Sequence, residues 1–177
     1  SLDGMPLLTC DTGVAGYSLK TSQGNILVSR HSNAVGMSAY FIALYPDGSK
    51  ATFGYTNNTM PRTSYPLTKL EDRFGNKIEF EYELENNYFY LKTVRYGQGA
   101  LIAVEYEPLK TYNSSIYYAG QNTFLCKELK SITSSDGKTA VYKYELTHQD
   151  MSGVSMLTKL GCVVNGVGAA GSSRTGE

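Results

Sequence analysis

In the stretch EDRFGNKIEFEYE, residues 71–83, hydrophobic and charged residues alternate strictly from Lys77 to Glu83. After a Gly-Asn pair, Ile78, Phe80 and Tyr82 occupy every second position, and Lys or Glu fills the positions between them. A period of two puts the apolar side chains on one face of a β-strand and the charged ones on the other. A Gly-Asn step supplies the positive φ that a tight hairpin turn requires. The pattern therefore predicts a β-hairpin with one buried and one solvated face.

The same spacing occurs four times, without a gap inside any copy. Each copy has apolar residues at positions 1 and 4, glycine at position 9, and apolar residues at positions 12, 14 and 16. The copies start at Tyr40, Leu67, Leu91 and Leu129, and their turn glycines are Gly48, Gly75, Gly99 and Gly137. Such self-similarity indicates a repeat array. Because an isolated hairpin is only marginally stable, the copies have to pair into a common sheet.

The predicted fold class is all-β, an antiparallel β-hairpin repeat, or meander, that forms a single extended, curved sheet. The second arms of three hairpins are expected at Lys77–Glu83, Leu101–Glu107 and Thr139–Glu145. Positions 1 and 4 lie three residues apart and cannot share a face of a regular strand, so a bulge or a late strand start is expected there. The hairpin domain is predicted over 1–160, with clear copies over about 40–144, and 161–177 is predicted to be a Gly/Ser-rich tail or linker.

The repeat resembles the YD repeat of RHS proteins, the large bacterial surface and toxin-associated chains. The best copy is LTKLEDRFGNKIEFEYE, followed by LKTVRYGQGALIAVEYE and LKSITSSDGKTAVYKYE, and ALYPDGSKATFGY is a partial copy. Family copies usually end in Tyr-Asp, whereas Tyr82, Tyr106 and Tyr144 precede Glu and Tyr55 precedes Thr. The resemblance implies a hairpin sheet of the kind that can enclose a toxin payload, in a bacterial protein that is secreted or on the cell surface, with its leader outside this chain. The Asp-Pro and Asn-Pro pattern of the family's self-cleaving centre is not found here.

Charge and reactive residues add no candidate for catalysis. Sixteen Lys and Arg balance sixteen Asp and Glu, so no net field attracts nucleic acid, and no apolar run is long enough for a membrane span. The cysteines Cys10, Cys126 and Cys162 form no CxxC motif, and neither His31 nor His148 has metal-binding spacing. We therefore predict no catalytic residue, no cofactor and no metal site, and expect the protein not to be an enzyme.

Two functions remain as hypotheses. The first is a non-enzymatic structural or scaffolding β-repeat domain, resembling part of an RHS-type shell or cell-surface protein and pairing with itself or with adjacent repeats through sheet edges. We expect weak self-association through the C-terminal part, with the associating edge on the side of the sheet that holds the copy at Leu129. The second is a carbohydrate- or protein-binding module in the insertion at 107–128, which holds either another strand pair or a surface loop. Its exposed Tyr112, Tyr117 and Tyr118 would bind a glycan or a surface protein, since tyrosine combines an apolar face with a polar tip.

Overall fold

The computed structural model describes residues 7–10, 16–19, 26–32, 39–54, 65–86, 88–109, 115–118, 121–164 and 167–169. Within these ranges the chain forms fifteen β-strands and no helix. The strands are β1 Leu7–Cys10, β2 Gly16–Leu19, β3 Leu27–Ser32, β4 Ala39–Leu44, β5 Lys50–Phe53, β6 Leu67–Glu71, β7 Lys77–Glu85, β8 Tyr88–Tyr96, β9 Ala100–Pro108, β10 Ser115–Tyr118, β11 Gln121–Phe124, β12 Lys127–Ser135, β13 Ala140–Met151, β14 Val154–Val164 and β15 Val167–Ala169. The predicted all-β fold class is confirmed.

Antiparallel pairing of neighbouring strands confirms the predicted meander. Among the described residues, thirteen strands follow one another in a single sheet in chain order, except that β12 lies beside β9. The two strands left over, β10 and β11, form a separate hairpin inside the insertion. The insertion thus holds a strand pair, one of the two expected alternatives. The predicted second arms lie in β7, β9 and β13, apart from Thr139, which directly precedes β13.

The first of two compact units, Ser1–Glu79, is organised around a row of small and branched apolar residues. Val28 lies opposite Ala43, Ala43 opposite Ala51, and Ala51 opposite Leu70, so the row crosses four strands in register. Val28, Ala43 and Ala51 are each at most 3% exposed. Larger side chains pack around this row; they are Ile26, Phe41, Tyr45, Phe53, Leu67 and Leu70. Within the copies of the repeat, Ala43 and Leu70 occupy position 4 and Ala51 occupies position 12, whereas Val28 lies before the first copy.

The second compact unit, Phe80–Glu177, also pairs apolar positions of the repeat. Val94 lies opposite Ile102 in the hairpin of β8 and β9. Further along β9, Val104 lies opposite Ile132 of β12. Apolar residues therefore meet across adjacent strands in this unit as well.

The first arms β6 and β12 each contain a bulge at position 2 of the repeat. Thr68 is the extra residue of β6 opposite β5, and Lys130 is the extra residue of β12 opposite β9. An extra residue reverses the alternation of side chains, so positions 1 and 4, such as Leu67 and Leu70, come to the same face. The Thr68 hydroxyl also donates to the carbonyl of Gly54 at 2.8 Å. The expected irregularity is thus confirmed, and in these two strands it is a bulge.

The copy at Leu129 has a different register from the other three. In those three, position 5 pairs with position 11, as in Glu71 opposite Lys77. In the fourth copy, position 4 pairs with position 16, with Ile132 opposite Tyr144. The sequence repeat is therefore not fully matched by a structural repeat.

The copy at Leu129 lies on the side of the sheet where the associating edge is predicted, but it does not itself form that edge. Its second arm β13 lies between β12 and β14, and it pairs with β14 from Tyr142 to Met151. Residues 161–164, predicted to begin a tail, also belong to β14, and β15 pairs with that end of β14. Val163 and Val164 explain this, because β-branched residues favour strands.

The turns have the backbone geometry that the glycines predict. The φ angles are +84° at Gly48, +88° at Gly75, +96° at Gly99 and +93° at Gly137. A Cβ on Gly75 would meet no atom within 4 Å, whereas a Cβ on Gly137 would overlap the backbone carbonyl of Gly99. The two glycines share a conformation and differ in the space around them.

We expect Gly137→Ala to destabilise the protein more than Gly75→Ala. Both variants incur about 1–2 kcal/mol for a side chain in the left-handed region, and Gly137→Ala adds about 1–3 kcal/mol of steric strain. Urea unfolding measures both. Equal free energies of unfolding for the two variants would contradict the close approach of the Gly99 and Gly137 turns.

Aspartate side chains cap three of the turns. Asp72 Oδ1 accepts hydrogen bonds from the backbone N–H groups of Phe74 and Asn76 at 2.8 and 2.9 Å, and Oδ2 accepts one from the Asn76 amide at 2.6 Å. The Asn76 side-chain bond, followed by the backbone bonds, lowers the pKa of Asp72 below its ordinary value of 3.8. Turn hydrogen bonds likewise lower the pKa of Asp47 and of Asp136.

Acid should therefore weaken these turns. A carboxylate whose pKa is depressed by folding stabilises the native state above its unfolded pKa, and that contribution is lost as the pH falls through the folded pKa. We expect the free energy of unfolding to decrease as the pH falls below 3.8, the ordinary pKa of aspartate. In Asp72→Ala this decrease should be less steep. Urea titrations across this range measure the slope, with the exposed Glu79→Gln as control. A slope unchanged by Asp72→Ala would refute the capping role.

Candidate functional site

The described part of the chain does not include the side chains of the predicted tyrosine platform. Tyr112 lies outside the described residues. Tyr117 and Tyr118 lie in β10, where the backbone of Tyr117 pairs with that of Asn122 in β11, and their side chains are not described. The hypothesis of a glycan- or protein-binding platform stays a prediction.

A different group of tyrosines is packed in the second unit. Tyr90 of β8 is 2% exposed. Its ring centroid lies 4.9 Å from that of Tyr88 and 5.1 Å from that of Tyr106, the latter in an edge-to-face arrangement. Such aromatic pairs add about 0.5–1.5 kcal/mol beyond the area that they bury. The rings therefore form a small aromatic core for β8 and β9.

The Tyr90 hydroxyl fixes the residue that precedes β12. It accepts a hydrogen bond from the backbone N–H of Cys126 at 2.9 Å, and the Cys126 Sγ lies 3.5 Å from the same oxygen. Burial, and then the hydrogen bond with the Cys126 side chain, raise the pKa of Tyr90 above its ordinary value of 10.0. The hydroxyl thus stays protonated and keeps its role in this contact at neutral pH.

An ion-pair network lies beside the aromatic core. Lys127 Nζ contacts Glu85 Oε2 at 2.5 Å and Glu83 Oε1 at 3.1 Å, and it lies 5.3 Å from the centroid of the Tyr90 ring. The hydrogen bond to Glu85, and then the one to Glu83, raise the pKa of Lys127 above its ordinary value of 10.5. Cys126 Sγ lies 3.7 Å from Glu85 Oε1 and accepts from the Asn86 amide at 3.3 Å. These contacts position the start of β12, and they offer a structural role for Cys126.

The hairpin of β13 and β14 carries a concentration of exposed apolar side chains. We call Leu157 and Leu160, which are 52% and 55% exposed and share one face of β14, the apolar surface. Three further apolar residues, between 49% and 59% exposed, lie on the opposite face; they are Met151, Val154 and Met156. Tyr142 and Tyr144 of β13 are also exposed. Contiguous exposed apolar groups mark interaction sites more often than isolated ones do. No signal in the repeat predicted this surface, because β14 lies beyond the clear copies.

One edge of β14 is open along most of its length in the described part of the chain. β15 pairs with β14 only from Cys162 to Val164. Over Val154–Gly161, the described residues provide β14 with the neighbour β13 alone. An edge of this kind presents unpaired backbone N–H and C=O groups that can accept another strand. The apolar surface and the open edge thus occur on the same strand.

These observations define the class of the protein as an all-β hairpin-repeat module whose clearest candidate site is an interaction surface. No family model and no curated protein sequence matches the chain. Solved structures that are similar in fold include the following two. The N-terminal domain of effector protein SpvB from Salmonella typhimurium strain LT2 matches with a TM-score of 0.67 and 13% identity, covering 90% of this chain and 74% of that chain.

The second similar structure is the crystal structure of TcdB2-TccC3-Cdc42. It matches with a TM-score of 0.71 and 13% identity, covering 90% of this chain and 12% of that chain. The chain therefore spans about an eighth of that larger protein. At this identity the likeness shows the fold alone. The described residues contain no helix that is long and apolar enough to span a membrane.

The contact between Tyr90 and Cys126 is testable with a matched pair of variants. Tyr90→Phe keeps the ring but leaves the Cys126 N–H without its acceptor, so it should lower the free energy of unfolding by about 1–3 kcal/mol. Tyr88→Phe removes a hydroxyl from a more exposed ring and should change the free energy of unfolding by at most about 0.5 kcal/mol. Urea denaturation followed by tyrosine fluorescence measures both. Equal effects would show that the Tyr90 hydroxyl does not anchor β12.

Proposed function

We propose that the chain is a non-enzymatic structural module of a secreted bacterial toxin or effector of RHS type. In this role it forms part of a longer β-sheet wall and joins neighbouring repeats through strand edges and apolar faces. The resemblance of its four sequence copies to YD repeats supports this function. The likeness of its fold to domains of an effector protein and of a toxin complex supports it as well.

The observation that carries the proposal is the apolar surface beside the open edge of β14. Leu157 and Leu160 are about half exposed, so covering the exposed half of each contributes up to about half of the roughly 1.5–3 kcal/mol that full burial gives. Strand addition along Val154–Gly161 would at the same time satisfy the open backbone groups. Both features favour a partner that is itself a β-strand with apolar residues, which is what another repeat provides.

A weak self-association follows from this proposal, because a second copy of the chain offers the same kind of surface. Sedimentation velocity over a concentration series should show a sedimentation coefficient that rises with concentration. The double variant Leu157→Lys, Leu160→Lys should stay monomeric, since it places two like charges on the same face of β14. The control Phe74→Lys changes a side chain that is 76% exposed at another hairpin tip, and it should associate like the wild type.

Two results would contradict this interaction surface. One is a wild-type chain that stays monomeric up to its solubility limit. The other is association that persists unchanged in the double lysine variant. Circular dichroism of all variants serves as the folding control, and exposed substitutions of this kind change stability by at most about 0.5 kcal/mol.

A further inference from the structure

Three potential metal ligands from three adjacent strands meet in the second unit. Glu107 lies near the end of β9, Glu128 near the start of β12, and His148 in β13. One ligand atom from each, a carboxylate oxygen or an imidazole nitrogen, lies within 4.8 Å of the other two. Far apart in sequence, these residues are brought together by the pairing of β12 with β9 and β13.

Burial makes this cluster different from a surface group of acids. Glu128 is only 8% exposed, and both Glu128 Oε1 and His148 Nδ1 are out of contact with solvent. Glu107 and His148 are half-buried. A carboxylate taken out of water has to be compensated by a positive charge and by hydrogen bonds, or its burial is costly.

The two carboxylates also face each other directly. Glu128 lies opposite Glu107 in the register of β12 and β9, and like charges at opposed positions of a sheet are destabilising. Two opposed carboxylates beside an imidazole thus form a site that favours a cation.

We propose that Glu107, Glu128 and His148 bind a divalent transition metal, with Zn²⁺ as the best match. Imidazole and carboxylate groups are common zinc ligands, at about 2.0–2.2 Å from the metal, so ligand atoms of a tetrahedral site are about 3.3 Å apart. The three groups need only a small contraction to reach this spacing. Calcium and magnesium prefer oxygen ligands alone and match the imidazole less well.

Glu128 also has an outer-shell partner of the kind that orients metal ligands. The Ser155 hydroxyl of β14 donates a hydrogen bond to Glu128 Oε2. Outer-shell partners of this type fix a ligand's orientation and raise metal affinity about 10–100-fold. With three protein ligands, one zinc position remains for water or for a group of a partner. The bound ion would clip β9, β12 and β13 together next to the insertion.

Isothermal titration of the chelator-treated chain with ZnCl₂ tests the site. We expect one zinc ion per chain in the wild type, and affinity at least about tenfold weaker in Glu128→Gln and in His148→Ala. The matched controls are Glu79→Gln, an exposed acid of β7, and His31→Ala, the histidine that stacks on Tyr40; both should bind like the wild type. Ser155→Ala should keep the stoichiometry and weaken binding by about 10–100-fold.

Glu128→Gln keeps the experiment decisive if a ligand variant is poorly folded. It removes one of two opposed charges, so the metal-free variant should unfold at a temperature no lower than the wild type, while zinc no longer raises that temperature. Binding by the free thiols Cys126 and Cys162 is separated with Cys126→Ser, Cys162→Ser, which should retain the zinc. The proposal is overturned if the wild type binds no zinc, if His148→Ala binds it unchanged, or if the serine variant loses it.

Discussion

In two of the four copies, apolar residues three positions apart come to the same face of the sheet. A regular strand alternates its side chains and would turn one of the two residues to solvent. The bulges at Thr68 and Lys130 solve this problem, since each adds one residue between the two apolar positions. Leu67 and Leu70 can then both pack on the buried row of the first unit. Each leucine gains up to about 1.5–3 kcal/mol from full burial, which exceeds the roughly 1 kcal/mol net value of a ladder hydrogen bond.

Much of this arrangement could be predicted from the sequence because its causes are local. The glycines at position 9 predicted the turns, and alternation predicted which residues of β7 are solvated. Glu79, Glu81 and Glu83 are exposed as predicted, but the opposite face is not fully buried: Ile78 is 38% exposed, and Phe80 and Tyr82 are half-buried. Glu81 also binds across to β8, where the Thr93 hydroxyl donates to Glu81 Oε2 at 2.6 Å, and that bond is the first cause of its lowered pKa. The partner of Glu81 lies on the neighbouring strand β8, so the sequence of β7 alone could not predict this contact.

The changed register of the fourth hairpin has a physical reason at position 7 of the repeat. In the first copy this position is Pro46, which has no N–H to donate to a ladder, and in the third it is Gly97 with a φ of +59°. Both end the first arm before the turn. In the fourth copy it is Ser135, which pairs with Ala140 and extends β12. The difference at position 7 is visible in the sequence. It was not used in the prediction, because the turn was assigned only from the glycine that all four copies share at position 9.

Contacts between residues distant in sequence are most important after the insertion between β9 and β12, and these contacts were also the hardest to predict from the sequence. After the hairpin of β10 and β11, the chain has to return to the open edge of β9, and apolar alternation alone would accept several registers there. Three successive residues around the start of β12 define the register in which the chain pairs with β9. Cys126 binds the Tyr90 hydroxyl, Lys127 binds Glu83 and Glu85, and Glu128 accepts a hydrogen bond from Ser155.

Each of these contacts joins residues that are distant in sequence, so no periodicity reveals them. Buried polar contacts are costly unless the partners meet in the correct geometry, and a shifted strand would separate all three sets at once. The cost of mispairing therefore specifies the register of β12, on which β13 and β14 are in turn assembled. The open edge and apolar side chains of β14 depend on that register as well. An interaction surface at β14 is thus available only after the polar residues at the start of β12 have met their partners.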